Sequence, residues 1–281
     1  MLHPAPRLIR FTAADGYRFA VRVWDQAAPA GRVVVVHGIV SHGGWYLRSC
    51  CHLAANGFEV HALDRRGSGL NLEDRGDVPH DRVWRSDVKS YLESLPRGMP
   101  TVLAGISWGG KLVAALGRDA LPDLAGAAMI CPGLFARQQA GPAARLLLHA
   151  AAAAGLSGAR VAIPLRDPAL FTHDPHWQAY IRDDPLTLRR ITVRFARADL
   201  QLNGRARAVE PFGVPLLLML AGRERIVDNG RTREFLHRVV APDKVCLEYP
   251  DAGHTLEFEP DPARYLEDLR AWVARVTGAV D

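Results

Sequence analysis

The sequence predicts an α/β protein: a mostly parallel central sheet with helices on both faces and a helical insertion above one edge. Three observations carry this expectation. Short apolar runs without alternation recur along the chain, as strands buried on both faces require. Stretches with helical spacing of apolar residues lie between them, and strand–helix alternation winds a parallel sheet. The alternation then lapses between about Leu134 and Glu210.

Residues 7–12 and 17–24 read as two strands joined at Asp15-Gly16, a hairpin signal. "RVVVVHG" (32–38) is a β-branched run ending in glycine. The runs at 58–64, 101–106, 125–133, 214–220 and 244–250 repeat that theme, each breaking at Gly, Asp, Ser or Pro. Helical patterns cover 44–56, 81–95, 109–120 and 261–276, the last with Pro262 near its first turn. The break in rhythm contains an Ala/Leu-rich helix candidate at 144–156 and no convincing strand. The expected organisation is a core of residues 1–133 and 211–281, with residues 134–210 as a helical cap. In open α/β folds such a segment lies above the carboxyl edge of the sheet, where ligands bind.

The chain has 281 residues, 48% hydrophobic and 23% charged, as expected of a globular protein with a sizeable core. Its net charge of +5 comes almost wholly from arginine, scattered rather than massed, so nucleic-acid binding is not expected. Four cysteines show no metal or redox spacing, and the N-terminal "MLHPAPRLIR" lacks the apolar stretch of a signal peptide. A cytoplasmic protein with reduced thiols is the expectation. The most apolar stretch, 144–156, is too short to span a bilayer and contains Arg145 and His149, so no stable membrane insertion is expected.

"TVLAGISWGGKLVAA" (101–115) places Ser107 between Gly105 and Gly109, where a buried strand gives way to a helix. A serine hydroxyl becomes a useful nucleophile only when a base takes its proton. A tight strand-to-helix turn lifts it clear of the sheet and crowds the positions two residues either side, which glycine relieves. With eight serines and 25 glycines in the chain, an incidental match is rare. "VVVVHGIVSHGGWY" delivers a His-Gly turn from a buried strand, so the amides of Ile39 and Trp108 are candidate oxyanion donors. His37, where the chain leaves the sheet, reads as structural. His254 follows the last core strand on a glycine-containing loop, the place of a general base in the order Ser, acid, His. Two acids follow the preceding strand in "LAGRERIVDNG". Glu224 lies nearer the strand end and is favoured as the triad acid, with Asp228 as the fallback. Asp228 also fits as the N-cap of the next helix.

These segments resemble the α/β-hydrolase superfamily, within it the monoacylglycerol lipase, lysophospholipase and serine aminopeptidase-like branch. The resemblance runs in order through "HGIVSHGGWY", "ALDRRGSGLN", "GISWGG", the insertion, "AGRERIVD" and "AGH". It implies the α/β-hydrolase fold with a helical cap, and Ser107, His254 and Glu224 as nucleophile, base and acid. It also implies Ile39 as oxyanion donor. The chain departs from the branch at Glu224, where aspartate is usual, and at Ile106 and Ser68, where histidine is frequent. Trp108 replaces a commonly smaller residue. Arg66 reads as a structural tie for its loop. Lys111 on the nucleophile helix reads either as a solvated helix residue or as a contact for an anionic substrate group.

The expected activity is a serine hydrolase that cleaves a carboxylic ester through an acyl-enzyme. The substrate is expected to be a small acyl molecule, such as a monoacylglycerol-like or lysophospholipid-like ester, with no metal or organic cofactor. An amidase, a peptidase or an acyltransferase would use the same triad. A non-catalytic binding protein on the same fold is the alternative of another class. The sequence does not indicate an oligomeric state.

Overall fold

The structure, a computed structural model, describes residues 5–138 and 141–279. Strands β1 (Arg7–Thr12) and β2 (Arg18–Trp24) form the hairpin expected at Asp15-Gly16, with Gly16 at φ 86°. The chain continues through β3 (Arg32–Val36), α1 (Leu47–Ala55), β4 (Glu59–Leu63), α2 (Asp81–Ser94), β5 (Thr101–Ile106), α3 (Trp108–Leu116) and β6 (Leu124–Ile130). After a long excursion come β9 (Leu216–Ala221), α7 (Asn229–Arg238), β10 (Lys244–Tyr249) and α8 (Ala263–Thr277). The excursion itself holds α4 (Pro142–Ala153), β7 (Arg160–Ala162), α5 (Pro175–Asp183), β8 (Arg190–Thr192) and α6 (Val193–Ala206).

Eight strands form one sheet in the order β1-β2-β4-β3-β5-β6-β9-β10. Only β1 with β2 and β2 with β4 pair antiparallel; every other pair is parallel. Strands β3, β5 and β9 are buried along their whole length, which explains their unbroken apolar runs. The order reverses beside β3 and β5, so their carboxyl ends open a crevice at the centre of the sheet.

Residues 134–210 contain two short strands where none was expected. β7 and β8 pair antiparallel as a separate two-stranded sheet. Each has three residues and β7 is fully exposed, so neither leaves a periodic signature. Helix α4 matches the Ala/Leu-rich candidate, and none of its residues is buried. The rest of the excursion is fastened to the loops at the sheet edge. The Leu188 amide donates to the Val40 carbonyl (2.8 Å), and the Thr255 amide donates to the Phe171 carbonyl (2.8 Å). Asp184 accepts from His42 Nε2 (3.0 Å), Trp45 Nε1 (2.8 Å) and Thr187 Oγ1 (3.0 Å). Trp177 stacks on Phe258 with ring centroids 4.3 Å apart. Among the described residues no helix is long and apolar enough to cross a membrane.

Candidate active site

Ser107 sits between the end of β5 and the start of α3 with φ 52° and ψ −116°. A non-glycine residue at positive φ is strained, and such strain persists only where surrounding structure imposes it. Three backbone bonds do so here. The Ser107 amide donates to the Ile130 carbonyl (2.8 Å), and its own carbonyl accepts from the amides of Gly110 (2.9 Å) and Gly133 (2.7 Å). The flanking glycines are sterically required. A Cβ on Gly105 would stand 2.4 Å from the Gly109 carbonyl oxygen, and one on Gly109 only 2.1 Å from that of Val36.

The raised hydroxyl meets His254. Ser107 Oγ lies 2.9 Å from His254 Nε2, and His254 Nδ1 lies 2.7 Å from Glu224 Oε2. A carboxylate only accepts, so Nδ1 carries the proton and Nε2 is free to accept from the serine hydroxyl. Both the His254 and Glu224 side chains are 2% exposed. The other Glu224 oxygen accepts from the amides of Ile226 (2.7 Å) and Val227 (3.2 Å). Burial pushes the Glu224 carboxyl up, but His254 and these two amides outweigh it and hold it below its ordinary value. Asp228, by contrast, caps α7, its side chain accepting from the Arg231 amide (3.0 Å).

Trp108 is the first residue of α3, and its amide belongs to the unsatisfied first turn of that helix. Ile39 lines the same cavity as Ser107 and Trp108. A Cβ on Gly38 would lie 3.3 Å from Ser107 Cβ, so the His-Gly turn runs directly against the serine. His37 is fully buried, and its Nε2 accepts from the Arg65 amide (2.9 Å), in the structural role expected of it. Arg66 also plays a structural part, binding both oxygens of Asp87 and pairing with Asp15.

Two side chains absent from the sequence reading shape the site. Arg65 Nη2 donates to the carbonyls of Gly38 (2.8 Å) and Ile39 (3.0 Å), while its guanidinium lies 4.3 Å from the Trp108 ring centroid. One buried arginine thereby holds both residues expected to supply oxyanion amides. Asp199, on α6, accepts from Trp108 Nε1 (2.6 Å) and from Lys111 Nζ at 2.8 and 3.1 Å. Lys111 is therefore not a solvated helix residue. It is buried, with its ammonium on the wall of the cavity.

That cavity has a volume of about 650 Å³ and opens over Ser107. Leu147 and Leu148 of α4, Val161 and Ile163 line it from the excursion. Phe171 and Trp177 instead pack on the sheet-edge loops, against His254 and Phe258 respectively. Cys131, Glu224 and His254 stand close enough to share a metal ion. Glu224 and His254 are already bonded to each other, and burial raises the Cys131 thiol far above its ordinary value, which disfavours the thiolate a metal needs.

A sheet of this order, with a serine lifted on the turn after β5, is the architecture of the α/β hydrolases, and the chain is a serine hydrolase of that class. The family model Hydrolase_4, described as "Serine aminopeptidase, S33", matches residues 27–261, and the chain belongs to that family. A monoacylglycerol lipase of Mycolicibacterium smegmatis is 25% identical over 94% of this chain and 95% of its own length. The human monoglyceride lipase is 25% identical over 98% of this chain and 92% of its own. Among solved structures, a soluble variant of the Saccharomyces cerevisiae monoglyceride lipase in complex with a substrate analog superposes with TM-score 0.85. It is 19% identical, with 98% of this chain and 97% of that one covered. The Paleococcus ferrophilus monoacylglycerol lipase gives TM-score 0.80 at 23% identity, covering 92% and 99%.

Proposed function

We propose that this protein hydrolyses carboxylic esters of small acyl molecules, with Ser107 as nucleophile, His254 as general base and Glu224 as the acid that orients it. The observation that carries this reading is the continuous hydrogen-bonded line from Ser107 Oγ through His254 to Glu224, at 2.9 and 2.7 Å, beneath an apolar cavity. Ser107 Oγ attacks the ester carbonyl as its proton passes to His254 Nε2. Glu224 stabilises the resulting imidazolium. The amides of Ile39 and Trp108 receive the developing oxyanion, and His254 returns the proton to the departing alkoxide. Water, deprotonated by His254, then attacks the acyl-serine and releases the acid.

Residues 134–210 act as a cap whose α4 side forms the acyl site, in keeping with Leu147 and Leu148 on the cavity wall. The likeness to monoacylglycerol lipases over nearly the whole chain supports an acyl ester of glycerol or a similar polyol as substrate. The test is Ser107→Ala with p-nitrophenyl acetate, alongside labelling by a fluorophosphonate. A fall in kcat/KM of about 10³-fold or more, with labelling confined to Ser107, is expected. Turnover by the folded alanine variant at the wild-type rate would refute the mechanism.

A further inference from the structure

The cavity over Ser107 is largely apolar, and apart from Ser107 and Gln138 its polar side chains are gathered where Lys111, Asp199, Asn203 and Arg207 line it together. These are the cavity's charged residues with one amide beside them, and the cations exceed the anion by one. Their bonding is incomplete. Lys111 Nζ has three hydrogens, and its two hydrogen bonds both go to one carboxylate, that of Asp199, which also accepts from Trp108 Nε1. Arg207 Nε donates to the Leu134 carbonyl, but its Nη2 has no partner. Asn203 Oδ1 also has none. Buried polar atoms are nearly always satisfied, so the unpartnered Arg207 nitrogen, a donor on the same wall as the Lys111 ammonium, points to an acceptor that joins the two cations; Asn203 Oδ1, itself an acceptor, takes no part in that.

The surroundings share that sign. Two depressions that share Arg207 and Ala136 with the cavity are lined by Arg137, Arg145, Arg231 and Arg238 against Asp228 and Glu234. Such an excess gives this side of the cavity a positive potential, which attracts anions. A neutral hydroxyl would satisfy one donor and leave the surplus charge uncompensated. An oxyanion accepts from both cations at once and neutralises it.

We propose that this end of the cavity is a subsite for an anionic group, a carboxylate or phosphate carried by the ester substrate, held between Lys111 Nζ and Arg207 Nη2. The subsite rests on the reading of the cavity as the acyl-ester site of Ser107, and it gives that reading a substrate class: esters that are amphiphilic and negatively charged. Asp199 has a separate task, keeping Lys111 charged in a buried position and tying it to Trp108.

Binding separates this proposal from the catalytic reading. The Ser107→Ala protein is titrated by calorimetry with octyl phosphate, octanoate and octanol. At least one anion is expected to bind about tenfold or more tightly than octanol, the scale of one hydrogen bond to a charged group. A preference for octyl phosphate names a phosphate and one for octanoate a carboxylate, while equal binding names charge alone as the criterion. Arg207→Gln, added to this protein, should erase most of the preference, and Arg207→Lys should retain much of it. Because Lys111→Met strands a buried carboxylate, it is made together with Asp199→Asn, and that double change should weaken anion binding too. Octanol binding as tightly as both anions, or a preference that survives Arg207→Gln and the double change, would overturn the subsite. Failure of the catalytic reading would appear elsewhere, as esterase activity undiminished by Ser107→Ala.

Discussion

Replacing Glu224 with glutamine tests how the base is oriented. In the wild type one carboxylate oxygen receives the amides of Ile226 and Val227, and the other receives His254 Nδ1–H. A glutamine at this position has one oxygen to offer. If that oxygen stays on the two amides, its NH2 faces Nδ1. The imidazole then shifts its proton to Nε2 and can no longer accept from Ser107. If the side chain flips, the tautomer is correct but two buried amides face an NH2 group. Each unpaired buried donor costs about 1–3 kcal/mol, so the flipped form lies roughly 2–6 kcal/mol higher. Residual activity follows its population, giving a loss of roughly 30- to 10⁴-fold at about 1.4 kcal/mol per decade. The upper end matches the loss of about 10⁴-fold for the corresponding acid-to-amide change in a serine protease triad. The assay is kcat/KM on p-nitrophenyl acetate, with circular dichroism to confirm folding. Asp228→Asn serves as the paired control. Asparagine caps a helix as well as aspartate does, so both stability and activity should hold. A loss below tenfold in Glu224→Gln, or the larger loss in Asp228→Asn, would refute the assignment of the acid.

Burial pushes the Glu257 carboxyl up to about 7, although it accepts from Ser49 Oγ and from the amides of Arg48 and Ser49. An acid raised in the folded state stabilises the fold below its unfolded value, and that stability is lost as pH rises toward 7. The contribution is on the order of 3 kcal/mol at about 1.4 kcal/mol per pKa unit. Urea unfolding at pH 5 and pH 8 should therefore show a pH dependence that Glu257→Gln flattens; an unchanged slope in the variant counts against this assignment. On the cavity wall, Leu148→Asn should lower kcat/KM for long acyl esters more than for acetate, because each buried methylene contributes about 0.8 kcal/mol. A C2-to-C12 ester series that keeps its wild-type profile would show that α4 does not line the acyl site.

Much of this fold is legible in the sequence because its central strands β3, β5 and β9 are buried along their whole length. An unbroken run such as Val33–Val36 leaves no other reading once a helix pattern follows. Ser107 and His254 stand out because each follows a strand of the main sheet at a turn marked by glycine. Asp199 had no such marker. It lies 88 residues from Lys111, on a helix of mixed composition, and only the folded chain brings the two together. Arg65 was hidden beside Arg66, and nothing local distinguishes the arginine that reaches the His-Gly turn from the one that binds Asp87. β7 and β8 escaped because a strand of three residues is too short to show a period.

The fastening of the excursion has a consequence for remodelling the enzyme. Leu188 to Val40, Phe171 to Thr255 and Asp184 to His42 and Trp45 are bonds to the very loops that carry Ile39 and His254. Exchanging the segment from Phe171 to Leu188 for another sequence would disturb the proposed oxyanion turn and the proposed base together. Helix α4 carries none of those bonds and buries none of its residues. Libraries intended to change selectivity while sparing turnover therefore belong in Pro142–Ala153, and grafts from other members of the family should be joined there rather than across the whole excursion.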